Sequence, residues 1–248
     1  MNAVQQTLLA HIPEAALLIL LAFAALFLLG NLLARRAKPP SLRPIPAYAR
    51  LRELAVESIE TGQPLHVSLG AGDWGQAAPE LAAGLMALDA ISRQAAHARQ
   101  GVCVTTGSPV ALLLAMNLVQ ANGAPANDLH LSGPAPLAYA GGAAEEGLLR
   151  PRAAHLLLGR FGDEGLWLAG ALQTGQAPVL GGASDPAAAA LMQLATEEPV
   201  IGEDLYAAGA YLGRQQHLGS LAAQDWARLL LAAALLAGAI LATLGIGG

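Results

Sequence analysis

The sequence is poor in charge, in aromatic rings and in cysteine. Charged residues make up 12% of the 248 positions and aromatic residues 4%, the charged share being roughly half that of an ordinary globular chain. A single cysteine, Cys103, excludes a disulfide within the chain and fits a reducing compartment. The six histidines, His11, His66, His97, His130, His155 and His217, include no pair three or four residues apart and have no partnering cysteine motif, so no metal site is expected. No GxSxG elbow is present, and no catalytic residue set or cofactor is assigned. Clustered cations are missing from the body of the chain. Residues 44–227 hold 8 Arg against 17 Asp and Glu, a formal charge of −9, which excludes the phosphate backbone of a nucleic acid as a partner. No internal period repeats.

Long apolar runs are abundant by contrast. Residues 15–34 read AALLILLAFAALFLLGNLLA, without a charge; as a helix they would extend roughly 30 Å, the thickness of a hydrocarbon core. Residues 229–246 read LLLAAALLAGAILATLGI, with Trp226 and Arg228 placed as interfacial anchors. No Lys or Arg precedes the first run, whereas Arg35, Arg36, Lys38, Arg43, Arg50 and Arg52 follow it; none follows the second. The pattern predicts a two-pass protein of the cell (inner) membrane with a cytoplasmic middle, external termini and the lipid bilayer as a partner. Charge that follows the first run argues against a cleaved signal peptide. Ala234, Gly238 and Ala242 recur every four residues, a spacing that lets helices approach closely, although an Ala-rich run also meets it by chance. The resulting plan is an external segment 1–14, a transmembrane helix 15–34, a basic Pro-rich linker 35–46, a cytoplasmic α/β domain 47–225, and a second transmembrane helix with an external end over 226–248.

Within the middle segment, Leu51, Leu54, Ala55 and Ile59 share a helical stripe that Gly62 ends. LHVSL (65–69) and VCVTT (102–106) read as strands, with a helix between them starting at Pro79. Ser108 and Pro109 form a cap and first turn, and Asp185 with Pro186 forms another. A short strand is expected at 129–131, a further one at 177–180 and a helix at 203–212. The runs 154–161 and 165–173, joined by Gly162, Asp163 and Glu164, read as a hairpin. These pieces predict an α/β fold with a mixed, mainly parallel sheet and flanking helices, plus the two terminal transmembrane helices.

Three groups of residues are candidates for function. Gly70, Gly72 and Gly75 spell GxGxxG between a strand and a helix, the context of a pyrophosphate site; a Gly-rich joint needs the same residues. Asp73 inside that loop and the absence of an acid at the end of the next strand weigh toward the joint. Thr105, Thr106 and Ser108 lie at a strand's carboxyl end, where open parallel sheets bind ligands, or simply cap the next helix. Glu203, Tyr206 and Tyr211 form a polar contact surface or pocket lining, unless the acid only balances a helix dipole.

RPIPAYARLRELAVESIETGQPLHVSLGAG, HLLLGRFGDEGLWLAGA, APVLGGASDP and, most distinctively, PVIGEDLYAAGAYLG leading into LAAQDWARLLL resemble a family of two-anchor membrane proteins of unassigned function, over roughly residues 43–240. The resemblance implies two anchors around this domain and supplies no activity or cofactor. With so little charge, the domain must expose much apolar surface, which favours assembly. The leading expectation is therefore a membrane-anchored scaffold or subunit that forms a homo-oligomer or joins a membrane complex, with Glu203, Tyr206, Tyr211, Ala234, Gly238 and Ala242 at interfaces. The alternative is a small-molecule-binding or enzymatic α/β domain with its ligand at Gly70–Gly75 and Thr105–Ser108.

Overall fold

A computed structural model describes residues 14–34, 43–72, 74–213 and 218–243. They fall into two units, one holding residues 43–213 and the other the two terminal helices. In chain order the elements begin with α1 (Glu14–Ala34), α2 (Pro46–Thr61), β1 (His66–Gly70), α3 (Trp74–His97), β2 (Cys103–Thr106) and α4 (Pro109–Ala121). They continue with β3 (Leu129–Leu131), α5 (Pro136–Leu148), β4 (His155–Arg160), α6 (Glu164–Leu172) and β5 (Val179–Ala183). The last are α7 (Pro186–Ala195), β6 (Val200–Ile201), a 3-10 turn (Gly202–Ala207), α8 (Ala208–Tyr211) and α9 (Leu218–Thr243).

β1, β2 and β5 are buried at every position. Such strands suit a sheet covered on both faces, and the sheet is indeed wholly parallel, in the order β3-β2-β1-β4-β5-β6. The chain builds outward from β1 to β3, returns to lay β4 beside β1, and builds outward again. The direction of growth reverses between β1 and β4, which marks the topological switch point. One face of the sheet packs Val67, Leu69, Val104, Leu156 and Leu158 with residues of α2, α3 and α4. The other packs Leu157 with Tyr139, Leu168, Leu172 and Met192 from α5, α6 and α7. Each fully buried leucine of these layers contributes about 1.5–3 kcal/mol relative to exposure. Gly84 lets α3 settle on β4: a Cβ there would lie 2.2 Å from the Leu158 carbonyl oxygen.

The expected hairpin is corrected. Residues 155–160 are strand β4, but the second run forms helix α6, whose buried residues Gly165, Leu168, Ala169 and Leu172 have helical spacing. The sheet is consequently parallel throughout, not mixed. Helix α3 starts at Trp74 rather than Pro79, which sits inside it. The segment expected as one helix over 203–212 is a 3-10 turn followed by the single turn α8.

The membrane expectation is also corrected. Among the described residues, no helix is long and apolar enough to cross a membrane. The transmembrane helices 15–34 and 226–248, and the two-pass inner-membrane placement built on them, fall with that finding. An apolar run specifies burial, not the medium that buries it; here α1 and α9 pack against each other within their own unit. Helix α9 also begins eight residues before Trp226 and carries Asp225 and Arg228 in its first half. The outer leucines Leu18, Leu28 and Leu235 remain exposed. The terminal segments 1–13 and 244–248, and most of the linker, lie outside the described residues.

Candidate functional site

The carboxyl edge of the sheet has a closed half and an open half. Gly70 ends β1 with φ +86°, and a Cβ there would come 2.1 Å from the Arg160 carbonyl oxygen, so the loop is held against the end of β4. At Gly107, after β2, a Cβ would lie 2.8 Å from both Ala71 Cα and the Gly133 carbonyl oxygen. The Gly107 N–H also donates to the Gly70 carbonyl at 3.0 Å. The loops after β1, β2 and β3 therefore close on one another.

The residues expected to bind a ligand there spend their polar groups internally. Thr105 turns inward to His66, 2.9 Å away. The Thr106 hydroxyl accepts the Ser108 N–H at 3.2 Å, and Ser108 caps α4 by accepting the Ala111 N–H at 3.4 Å. Gly72 faces Ala77 and Arg160, while Gly75 has nothing near it, so the third glycine does not serve close helix packing. Asp73 lies outside the described residues.

The open half lies over β4, β5 and β6. A cavity of about 280 Å³ is lined there by Glu80, Arg160, Ser184, Asp185, Glu203 and Tyr206, with Phe161 and two glycines completing the wall. Glu80 reaches it from the second turn of α3. Its Oε1 accepts the Ser184 hydroxyl at 2.7 Å and the Tyr206 hydroxyl at 3.4 Å. Its Oε2 is buried and has no hydrogen-bond partner among the described residues. Asp185 caps α7, its Oδ1 accepting the Ala187 and Ala188 N–H groups at 3.0 and 3.1 Å. Glu203 and Tyr206, three residues apart, line the same cavity from the 3-10 turn, whose repeat places positions i and i+3 over each other. Tyr48 holds that turn in place: its hydroxyl, buried under α2, donates to the Asp204 carbonyl at 2.8 Å. Three carboxylates and one guanidinium thus belong to residues that line the cavity.

The family model for a domain of unknown function (DUF6754) matches residues 5–247. The chain belongs to that family. No curated protein and no solved structure matches it.

This DUF6754 chain carries a second polar cluster that the sequence reading does not anticipate, at the amino ends of β1, β2 and β4. His66 and His155 are register partners on adjacent strands, and their Nδ1 atoms lie 3.1 Å apart. His66 Nε2 contacts the Thr105 hydroxyl. Burial, reinforced by the Arg152 guanidinium, pushes His155 down to about 4. Burial and then the neighbouring His155 and Arg152 hold His66 well below its ordinary range. Further along β1, Ser68 hydrogen-bonds the Tyr139 hydroxyl, which also accepts the Gly70 N–H at 3.0 Å. Burial pushes Tyr139 up to about 12, keeping it a phenol. The available sequence signal is the alternation His-x-Ser-x-Gly in β1: three polar or small residues on one face of a buried strand.

Beside this pair, Cys103, Asp128 and His130 each bring one ligand atom within 4.8 Å of the others. The expectation of no metal rested on sequence spacing, which does not register this grouping. Its members are already engaged with their neighbours. Asp128 meets Arg152 at 2.7 Å and His130 at 2.8 Å, and His130 meets Glu146 at 3.3 Å. Burial would raise the Asp128 carboxyl, but hydrogen bonds from His130 and Arg152 outweigh it and hold the group below its usual range. Burial raises the Cys103 thiol to about 12, so it is not a thiolate. Of the expected interface residues, Tyr211 stacks on Tyr48 with ring centroids 5.2 Å apart, and its hydroxyl donates to the Arg43 carbonyl. Ala234, Gly238 and Ala242 lie on α9, but their side chains are outside the described set.

Proposed function

We propose that the α/β unit of this chain binds a small amine-bearing molecule in the cavity over β4, β5 and β6. The observation that carries the reading is the buried, unpartnered Oε2 of Glu80 in a cavity lined by three carboxylates and one guanidinium. A buried carboxylate oxygen without a donor is costly, and an ammonium supplies both the donor and the opposite charge. Position supports the same reading, because ligands of open parallel sheets gather at the carboxyl ends of the strands. A dinucleotide fits this edge less well: Gly107 sits tightly against Ala71 and Gly133 of the neighbouring loops, and β2 ends in Thr106, not an acid for ribose hydroxyls. The assembly reading rests on exposed apolar residues such as Leu137, Trp167 and Leu194, and nothing among the described residues shows what covers them.

Calorimetric titration of the full chain with a panel of small alkyl diamines and amino sugars, alongside nucleotides, tests the proposal. Saturable heat from an amine is expected, weakened about tenfold or more by Glu80→Gln. Equal affinity of wild type and Glu80→Gln for every amine, or saturation by a nucleotide alone, would sink it.

A further inference from the structure

At the opposite, amino-terminal edge of the sheet a second cleft of about 460 Å³ opens between the end of α5, the segment leading into β4 and the loop before β5. Arg152 and His155, 5% and 2% exposed, form part of its lining. Each retains a polar atom with nothing to bind. Arg152 donates from Nη1 to Asp128 at 2.7 Å and from Nη2 to the Glu146 carbonyl at 3.2 Å, but its Nε is buried without a partner among the described residues. His155 uses Nδ1 against His66, and its Nε2 has no partner among them. Arg150 stands exposed at the rim, and Glu57 is the one carboxylate among the described lining residues. The balance of charge is therefore the reverse of that in the carboxyl-edge cavity.

We propose that this cleft binds a small oxyanion, a phosphate or a carboxylate, through the N–H groups of Arg152 Nε and His155 Nε2. The buried hydrogen-bond chain fixes which way His155 faces the ligand. If the ligand accepts from Nε2, then His155 Nδ1 is bare and accepts from His66 Nδ1–H, and His66 Nε2 accepts from the Thr105 hydroxyl. Every proton in that chain has an acceptor. In the reverse sense His66 Nε2–H donates to Thr105, and the Thr105 hydroxyl proton is left buried with no acceptor among the described residues. Buried polar groups are rarely left unpaired, so the first arrangement is preferred. Burial keeps both rings neutral near pH 7, and each then carries the single proton the chain requires. The proposal does not rest on the amine reading of the other edge.

The test uses full-length protein labelled with ¹⁵N-histidine. Inorganic phosphate is added in one arm and succinate in the other, and the ring nitrogens are followed by long-range ¹H–¹⁵N correlation. Saturable movement of His155 Nε2, protonated throughout, with His66 protonated on Nδ1, is the expected result. Response to phosphate alone or to succinate alone names the class of anion. His155→Gln, which can still offer an N–H, keeps affinity within about threefold, whereas His155→Phe loses about tenfold. Should His155→Phe fail to fold, the wild-type spectra decide. A bare Nε2 on His155, or no saturable shift from either anion at tens of millimolar, overturns the proposal.

Discussion

Acidification should destabilise this protein through the buried histidine pair, over a window that can be placed in advance. Unfolded, His155 titrates near 6.5; folded, burial and then the Arg152 guanidinium push it down to about 4. Between those values the unfolded chain takes up a proton that the folded chain refuses. Stability contributed by the neutral ring is complete above pH 6.5 and declines as pH falls, by about 1.4 kcal/mol per unit, until the folded ring itself protonates near pH 4. From pH 7 to pH 5 the loss from His155 comes to about 2 kcal/mol. His66, also lowered, acts in the same direction. Asp128 belongs to a separate window: its carboxyl is lowered from an ordinary value of 3.8, so its contribution is lost only in more acid solution. The assay is urea unfolding of the full chain, followed by circular dichroism at half-unit pH steps, for wild type and His155→Gln. Groups remote from the pair cancel in the difference; His66, which His155 helps to lower, does not, and it acts in the same direction as the His155 loss. Wild type should lose about 2 kcal/mol more than the variant between pH 7 and pH 5. Parallel stability profiles across that interval would refute the reasoning, because they would mean that His155 is not held neutral by its surroundings.

Gly70→Ala combines φ +86° with a Cβ 2.1 Å from the Arg160 carbonyl oxygen, and should cost about 3 kcal/mol or more in urea unfolding. Gly75→Ala should be neutral or stabilise by up to about 1 kcal/mol in thermal melts, because it lies in the first turn of α3 with open space around it; a large loss would restore a close-packing role to the third glycine. Tyr48→Phe removes the donor to the Asp204 carbonyl and should cost about 1–2 kcal/mol, while loosening the turn that carries Glu203 and Tyr206 and so lowering affinity for an amine by calorimetry.

The fold is most legible where local chemistry decides it. Ser108 with Pro109 and Asp185 with Pro186 open α4 and α7 where a cap and a fixed proline φ predict, and Gly62 closes α2 in the left-handed conformation. The strands expected at 65–69, 102–106 and 129–131 form at 66–70, 103–106 and 129–131. Reading fails where two structures satisfy the same local pattern. The run in α6 is apolar enough for a strand, and only its spacing of three and four places it on a helix. Pro79 resembles a first-turn residue, yet α3 already begins at Trp74, because a proline six residues into a helix loses a single backbone bond. The terminal runs are apolar enough to suggest a membrane, but apolarity alone leaves open whether lipid or another helix meets them.

The two candidate sites are less legible, because distance along the chain hides them. Glu80 meets Ser184 across 104 positions and Tyr206 across 126, and His66 meets His155 across 89. What the parallel topology does dictate is the sign of charge at each edge. Every helix that follows a strand starts at the carboxyl edge, so its positive dipole end favours acids there, such as Asp185 at the start of α7. Helices end at the amino edge, where Arg150 and Arg152 follow the end of α5. Dipole compensation alone would account for an acidic edge and a basic one. It does not account for Glu80 Oε2 and Arg152 Nε, because a charge that only balances a dipole has no need to bury an atom and leave it unpaired among the described residues. On the two proposed readings, the acceptor left at the acidic edge and the donor left at the basic one are each matched in sign to the ligand that edge would attract.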